Sequence, residues 1–337
     1  MKVIVDAFGG DNAPLEILKG AALAVEELKC EIILVGDKAK IEKCASDNKI
    51  NIDGMEIVHT EDVILVEENP RTIISEHKNS SLGLGLQLLA QGKGEAFVTA
   101  GSSGATVVGS TAIVKRIKGV KRAAIASLMP SDEGFFMMMD CGANLACSKE
   151  TLNMFAIMGK TYMEKVMKVK NPRVALANIG VEENKGTEVL VDSYQLMKTA
   201  DYNFVGNIEV RDIPSGGADV VVCEGFTGNV ILKMYEGVAG VILSNIKKIF
   251  KKNPLTMFAA LLVNGGIKDF KKKMDYKEFG GAPLMGISKP VIKAHGSSDA
   301  RAFKNAIRQA IFYAENDVIG DIEKCVPKKE EGEAKNA

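Results

Sequence analysis

Short, uniformly apolar runs alternate along the chain with longer stretches of helical periodicity. Residues 2–7 read KVIVDA, a β-branched run too short for a helix, and the polar loop FGGDNAP follows it. That predicts a buried strand. Pro14 suits the first turn of a helix, which is expected to run to about Lys29 with Asn12 as its N-cap. EIILVGD at 31–37 is a second strand. Strand, helix and strand within about 35 residues form a βαβ unit with a right-handed crossover.

The pattern recurs. EAFVTA (95–100), RAAIASLMP, FFMMMDCG, RVALANIG (173–180), FVGNIEV, ADVVVCEG and PVIKAHGSSD are further strand candidates, and most precede helical stretches. About nine strands interleaved with helices predict an α/β protein: a doubly wound, mainly parallel sheet in an α/β/α sandwich. One catalytic domain is expected over 1–326, with room for two lobes around a cleft. The tail 327–337, PKKEEGEAKNA, has no large apolar residue and is expected to be disordered.

One region breaks the alternation. Leu255 to Val263 carry a single polar side chain, Thr256, between lysine-rich flanks. Pro254 is expected to start a short helix and Gly265–Gly266 to end it, between two longer helices. Nine residues at ~1.5 Å each give only ~14 Å, under half a bilayer's hydrocarbon, so this run cannot span. It predicts a protruding helical tip within 240–275, with Leu255, Phe258, Leu261 and Leu262 on its apolar surface. A buried or dimer-interface helix has the same pattern.

Charge sharpens that picture. The 337 residues carry 43 basic and 43 acidic side chains, so no general attraction to nucleic acid is expected. Yet 247–274 holds eight lysines against Asp269 alone, a local charge of +7. Such a patch suits an anionic partner, although a solvated charged face would look the same. The six cysteines show no CxxC pair or metal-ligand spacing, which fits a reducing compartment. The N-terminal apolar run is too short for a signal peptide, and no uninterrupted run reaches the ~18–20 residues of a spanning helix. A cytoplasmic protein is expected.

In doubly wound sheets, ligands bind beyond the carboxyl ends of the strands. Six loops stand there: DAFGGDNAP, TAGSSGAT, DCGANLA, NIGVEENKGTE, CEGFTGN and KAHGSSD. All are rich in Gly, Ser, Thr or Asn, and several open helices, so an anion site along one sheet edge is expected. There is no GxxxxGK[ST] and no GxGxxG after a strand. Gly83 and Gly85 belong instead to a helix started by Ser80. Asp37 resembles a ribose-binding acid only by position. No GxSxG elbow is present. His59 and His77 read as structural, whereas His295 follows a strand beside Lys293, Ser297, Ser298 and Asp299. Lys185 can balance a phosphate or simply flank a helix. Asp140, Asn144, Thr227 and Asn229 can orient a ligand or cap a helix.

Together the blocks VDAFGGDNAP, TAGSSGA, DCGAN, NIGVEENKG, GFTGN, GGAPLMGI and IKAHGSSD resemble, in order over residues 1–320, those of the bacterial phosphate acyltransferases (the PlsX family). The resemblance implies transfer of a long-chain acyl group from acyl carrier protein to inorganic phosphate, without a cofactor. It implies a fold similar to phosphotransacetylases and isopropylmalate dehydrogenases, usually homodimeric. It also implies peripheral membrane association and a downstream membrane glycerol-3-phosphate acyltransferase. Phe8, Asn12, Ser102–Ser103 and Glu224 depart from residues common in the family, which leaves the hydrogen bond expected at Ser102 open. On this reading Lys185, His295 and Asn229 are catalytic. Asp6, Gly9, Gly10, Asp11, Ser102, Ser103, Gly104, Asp140, Asn144, Thr227, Lys293, Ser297 and Ser298 bind phosphate or the acyl group. A phosphotransacetylase using acyl-CoA, a dehydrogenase and a membrane-recruited scaffold are the competing readings.

Overall fold

The computed structural model describes residues 1–273 and 279–326. The expected tail and residues 274–275 of the expected tip lie outside the described residues. The first half of the chain contributes β1 (Lys2–Asp6), α1 (Leu15–Leu28), β2 (Glu31–Gly36), α2 (Lys38–Asn48), β3 (Glu56–His59), α3 (Ser81–Ala90), β4 (Ala96–Thr99) and α4 (Ser103–Gly109). After these come β5 (Ala124–Ser131), β6 (Gly134–Met139), α5 (Lys149–Lys165), β7 (Val174–Asn178), α6 (Glu188–Lys198), β8 (Phe204–Glu209) and β9 (Val220–Val222). The chain then forms α7 (Gly225–Phe250), α8 (Pro254–Lys273), β10 (Gly281–Met285), β11 (Val291–Ala294), α9 (Ala300–Glu315) and α10 (Val318–Cys325).

The strands form one sheet in the order β3-β2-β1-β4-β11-β10-β5-β6-β9-β7-β8. Alternation explains its two cores. Val3, Val5, Ile32 and Leu34 face a cluster with α1, α5 and α9, while Ile4, Ile33 and Val35 face a second cluster with α3. Both faces are buried, so the strands read as unbroken apolar runs. In α9, Ala302, Phe303, Ala306, Ile307, Ala310 and Ile311 recur at helical spacing and are all buried.

The sheet is not parallel throughout. β1–β4 and β11 run one way, β10 is antiparallel to both its neighbours, and β5 is antiparallel to β6. The β6-β9-β7-β8 group therefore runs opposite to the β3-β2-β1-β4-β11 group. This corrects the expectation that six loops share one edge. Those after β1, β4 and β11 leave one edge, and those after β6, β7 and β9 leave the other.

Three local expectations also change. Asn12 does not cap α1: the helix starts after Pro14 without a side-chain cap, and Asn12 Nδ2 instead donates to the Ser298 carbonyl at 3.3 Å. Gly265 and Gly266 do not end a helix, because α8 runs through both for 20 residues. A mid-helix glycine costs only about 1 kcal/mol against alanine, which does not by itself terminate a helix. By length and composition α7 is long and apolar enough to cross a membrane, although its sequence holds no unbroken apolar run. Its first turn is nevertheless packed on the sheet, with Gly225 and Gly228 buried.

Candidate active site

Where the two strand groups meet, a cavity of about 710 Å³ opens over β5 and the start of β10. Its walls differ in character. One carries Ser103, Lys293, His295, Ser297, Ser298 and Arg301 from the first strand group's loops and the first turn of α9. The other is α7, entering with Asn229 and continuing through Leu232, Tyr235, Ala239 and Leu243. Leu128, Met129 and Pro130 of β5 complete the apolar side. Tyr235 Oη donates to the Pro130 carbonyl at 2.6 Å, so α7 is tied alongside β5.

The polar wall rests on a buried support. Asp6, at the end of β1, accepts from Thr99 Oγ1 at 2.7 Å and from the Phe8 amide at 3.2 Å. Burial raises its pKa, opposed by these bonds and one from Ser81. Gly9 is required by close approach: a Cβ there would sit 2.6 Å from both Asp6 Oδ2 and the Gly101 nitrogen. Gly10 has φ +99°, where L side chains are strained. The Asp11 amide donates to the Gly296 carbonyl at 2.8 Å, joining the β1 loop to the β11 loop. Thus Asp6, Gly9, Gly10 and Asp11 organise the wall from behind and are not among the cavity-lining residues.

Ser102 caps α4, its hydroxyl accepting from the Ala105 amide at 3.4 Å, while the next residue, Ser103, is exposed to the cavity. Gly104 lies under the 3-10 turn at Pro70–Ile74, where a Cβ would meet Pro70 Cγ at 2.7 Å. Lys293 Nζ donates to the Ala100 carbonyl at 3.2 Å and to that of Ala294. Burial pulls its pKa down to about 8, with the charges of Asp11 and Asp6 acting the other way. At neutral pH it remains a cation, poorly hydrated and therefore receptive to an anion. His295 Nδ1 accepts the Ser297 amide at 3.2 Å and lies 2.9 Å from Ser297 Oγ. That amide assigns Nδ1 as an acceptor, which places the neutral ring's proton on Nε2.

The opposite sheet group uses similar residues differently. Asp140 is fully buried and accepts from the Ile125, Ala143 and Asn144 amides at 3.0, 3.1 and 2.7 Å. Asn144 Nδ2 bridges Asp140 Oδ2 and the Ala123 carbonyl, at 2.8 and 2.7 Å. Burial raises the Asp140 pKa despite these bonds. Glu224 caps α7, accepting from the Thr227 amide at 3.0 Å and from its hydroxyl. Asp140, Asn144 and Thr227 are therefore engaged by backbone amides and a helix cap and stand outside the cavity lining. Asn229, two residues further into α7, does reach the cavity.

Lys185 also stands apart. It is exposed in the loop after β7, outside the cavity lining, and its carbonyl accepts from Asn178 Nδ2 at 3.0 Å. Conversely, sequence reasoning missed Arg301, Lys233 and Tyr235 as cavity residues. Only the position of Arg301, two residues past GSSD, hinted at it. Asp37 caps α2 by accepting from the Lys40 amide at 3.2 Å, and His77 is held between Asp62 and Glu68 at 2.8 and 3.3 Å. Both are structural.

Beyond the cavity α7 stands clear of the body and continues into α8. Leu255, Phe258, Leu261 and Leu262 are 77, 59, 71 and 74 % exposed. Met234, Val241 and Ile249 of α7 are likewise exposed. Apolar surface on this scale on a monomer marks contact with something else.

Residues 1–320 match the family model described as fatty acid synthesis protein. The chain is 46% identical over 326 residues to the phosphate acyltransferase of Alkaliphilus oremlandii, covering 97% of each chain. It is 47% identical over 324 residues to that of Thermoanaerobacterium thermosaccharolyticum, covering 96% of each. Among solved structures it superposes on a phosphotransacetylase from Streptococcus pyogenes with a TM-score of 0.64, covering 96% of this chain and 94% of the other. At 16% identity that likeness is one of fold. With nearly its whole described length aligned to both the family model and these relatives, the chain belongs to the fatty acid synthesis protein family that includes the phosphate acyltransferases.

Proposed function

We propose that the protein transfers a fatty acyl group from the thioester of an acyl carrier protein to inorganic phosphate. A phosphate oxygen attacks the thioester carbonyl, the new C–O bond forms, and the C–S bond breaks. The products are acyl phosphate and the carrier's thiol. Phosphate is anionic at pH 7, and a thiol with pKa near ~8.5 leaves without strong acid help. What remains is to strip phosphate of water, align it with the carbonyl and stabilise the tetrahedral oxyanion.

The observation that carries this reading is the two-sided cavity, with cations and hydroxyls facing an apolar wall. Lys293 balances the phosphate charge, with the Ser103 hydroxyl as hydrogen-bond donor, while Ser297 and Ser298 hold the His295 ring and carbonyl in place. His295 Nε2–H and Asn229 donate to the oxyanion or the departing sulfur. The purified chain is given acyl–carrier protein or acyl-CoA, and thiol release is followed as phosphate is titrated. Phosphate-dependent release from the carrier protein supports the reading. Release from acyl-CoA alone replaces it with phosphotransacetylase-type transfer, and no phosphate dependence removes both.

The exposed α7–α8 hairpin supports a place for the reaction. Its apolar residues adjoin exposed Lys247, Lys248, Lys251 and Lys252. Such a surface suits the anionic inner face of the cell membrane, each nearby lysine contributing about 1 kcal/mol. We place the protein in the cytoplasm as a homodimer held peripherally there, handing acyl phosphate to a membrane glycerol-3-phosphate acyltransferase. Leu262→Glu is expected to release it from anionic vesicles with soluble activity intact. Unchanged vesicle binding would assign the hairpin to an interface between subunits.

A further inference from the structure

The apolar wall has a graded outline. From Asn229 to Leu243, α7 advances 14 residues, roughly 21 Å along the cavity. Standard carbon geometry gives an extended acyl chain roughly 1.3 Å per carbon, so that length matches about sixteen carbons. Near its inner end the strip is bulky, with Leu232 and Tyr235 beside the charged Lys233 and Glu236, and no charged residue of α7 lines it beyond Glu236. Near its outer end it is small, with Ala239 and Gly240 before Leu243. A Cβ built on Gly240 meets no atom within 4 Å, so the space beside it is open.

Glycine in a helix interior is unfavourable by about 1 kcal/mol against alanine, and the fold does not require one here. Gly237, three residues earlier, is equally free of neighbours but does not line the cavity. The two glycines therefore differ in one respect: what their missing side chains leave open. At Gly237 it is solvent, and at Gly240 it is the outer third of the apolar strip.

We propose that the strip along α7 is the acyl-chain track and that the small residues Ala239–Gly240 keep its outer end open to long chains. This rests on the acyl-transfer reading of the same cavity. The thioester carbonyl lies toward the polar wall, and the chain runs outward over Leu128, Met129 and Pro130 toward Leu243. A side chain at position 240 would fill the end of the track and displace the terminal methylenes of a long chain while leaving a short one untouched. Each methylene that loses its apolar contact weakens binding by up to about fourfold.

The test compares Gly240→Phe with Gly237→Phe in the full-length protein, which introduce the same bulk on the same helix. Thiol release from carrier proteins bearing eight- to eighteen-carbon chains is measured for both, together with calorimetric binding of free fatty acids of the same lengths. Gly240→Phe should lower kcat/KM for sixteen- and eighteen-carbon donors by about tenfold or more and keep that for eight- and ten-carbon donors within about twofold. Gly237→Phe should keep the wild-type profile. Overturning results are a Gly240→Phe profile of wild-type shape, at full or reduced rate, or the same shift in Gly237→Phe. Fatty-acid binding separates the two levels of the argument. If no thiol is released by the wild-type protein, the acyl-transfer reading fails. The track still stands or falls on whether Gly240→Phe selectively loses long-chain binding.

Discussion

The two strand groups of the sheet carry similar loops and use them in opposite ways. Each has a strand ending in a buried aspartate, followed by glycines and small polar residues. In the β1 group, Asp6 braces the backbone from behind, leaving Lys293, His295 and Ser103 directed into the cavity. In the β6 group, Asp140, Asn144 and Thr227 are themselves consumed, pinning β5 and the start of α7. The difference teaches that residue type and loop position do not assign a role. What matters is whether backbone amides nearby already claim the side chain.

Removing one charged residue from each group tests that contrast most strongly. Lys293→Met should lower phosphate-dependent turnover by about 10²–10³-fold, the range typical of losing one preorganised electrostatic group. The variant should remain folded, since a buried lysine stem is replaced by an apolar side chain. Asp140→Ala should do the reverse. Three backbone amides and Asn144 lose their acceptor, each orphan costing ~1–3 kcal/mol, so a stability loss of about 3 kcal/mol or more is expected in urea unfolding. Turnover per folded molecule should stay within about threefold. Large catalytic loss in folded Asp140→Ala would dissolve the distinction between the two groups.

A pH series refines the claim about Lys293. Its folded pKa is lowered to about 8, below the unfolded value. Between about 8 and ~10.4 the unfolded state holds more protons than the folded one, so this group's contribution makes stability rise with pH there. The charge offered to phosphate disappears over the same window. KM for phosphate should therefore increase above pH ~8 while the lysine's destabilising effect fades. Lys293→Met should flatten both changes. A KM that ignores pH in the parent enzyme would remove Lys293 from phosphate binding.

The smallest effect is expected at Lys185. Exposed and outside the cavity, Lys185→Ala should change phosphate KM by less than about threefold and leave stability within about 0.5 kcal/mol. A loss near 100-fold would mean that lobe closure or a second subunit carries this loop into the site.

Local chemistry in the sequence was enough for the strands, for Ser80 capping α3, and for the placement of His295 and Lys293 after a strand. Buried strands of a two-faced sheet must be apolar throughout, and caps need a short polar side chain at one position. The short β3 and β10, EIVH and GAPLM, lacked such a run and escaped notice. Asn12 misled because a cap is worth only about 1 kcal/mol and its side chain is instead drawn to the Ser298 carbonyl, and Gly265–Gly266 misled because glycines at about 1 kcal/mol each do not by themselves end a helix.

By itself the sequence determined the α/β class, the family blocks and the residues available for phosphate chemistry, because these depend on local pattern. Only the tertiary structure decided which of them meet. The antiparallel β10 and β5 reverse half the sheet, sending the DCGAN and GFTGN loops to the far edge. They also lay α7 beside β5, so that an apolar helix faces Lys293 and His295 across one cavity. The β5–β6 reversal is a local hairpin, but the β10–β5 pairing that joins the two groups links residues more than a hundred positions apart, Leu284 with Ile125, and no local run of side chains encodes it.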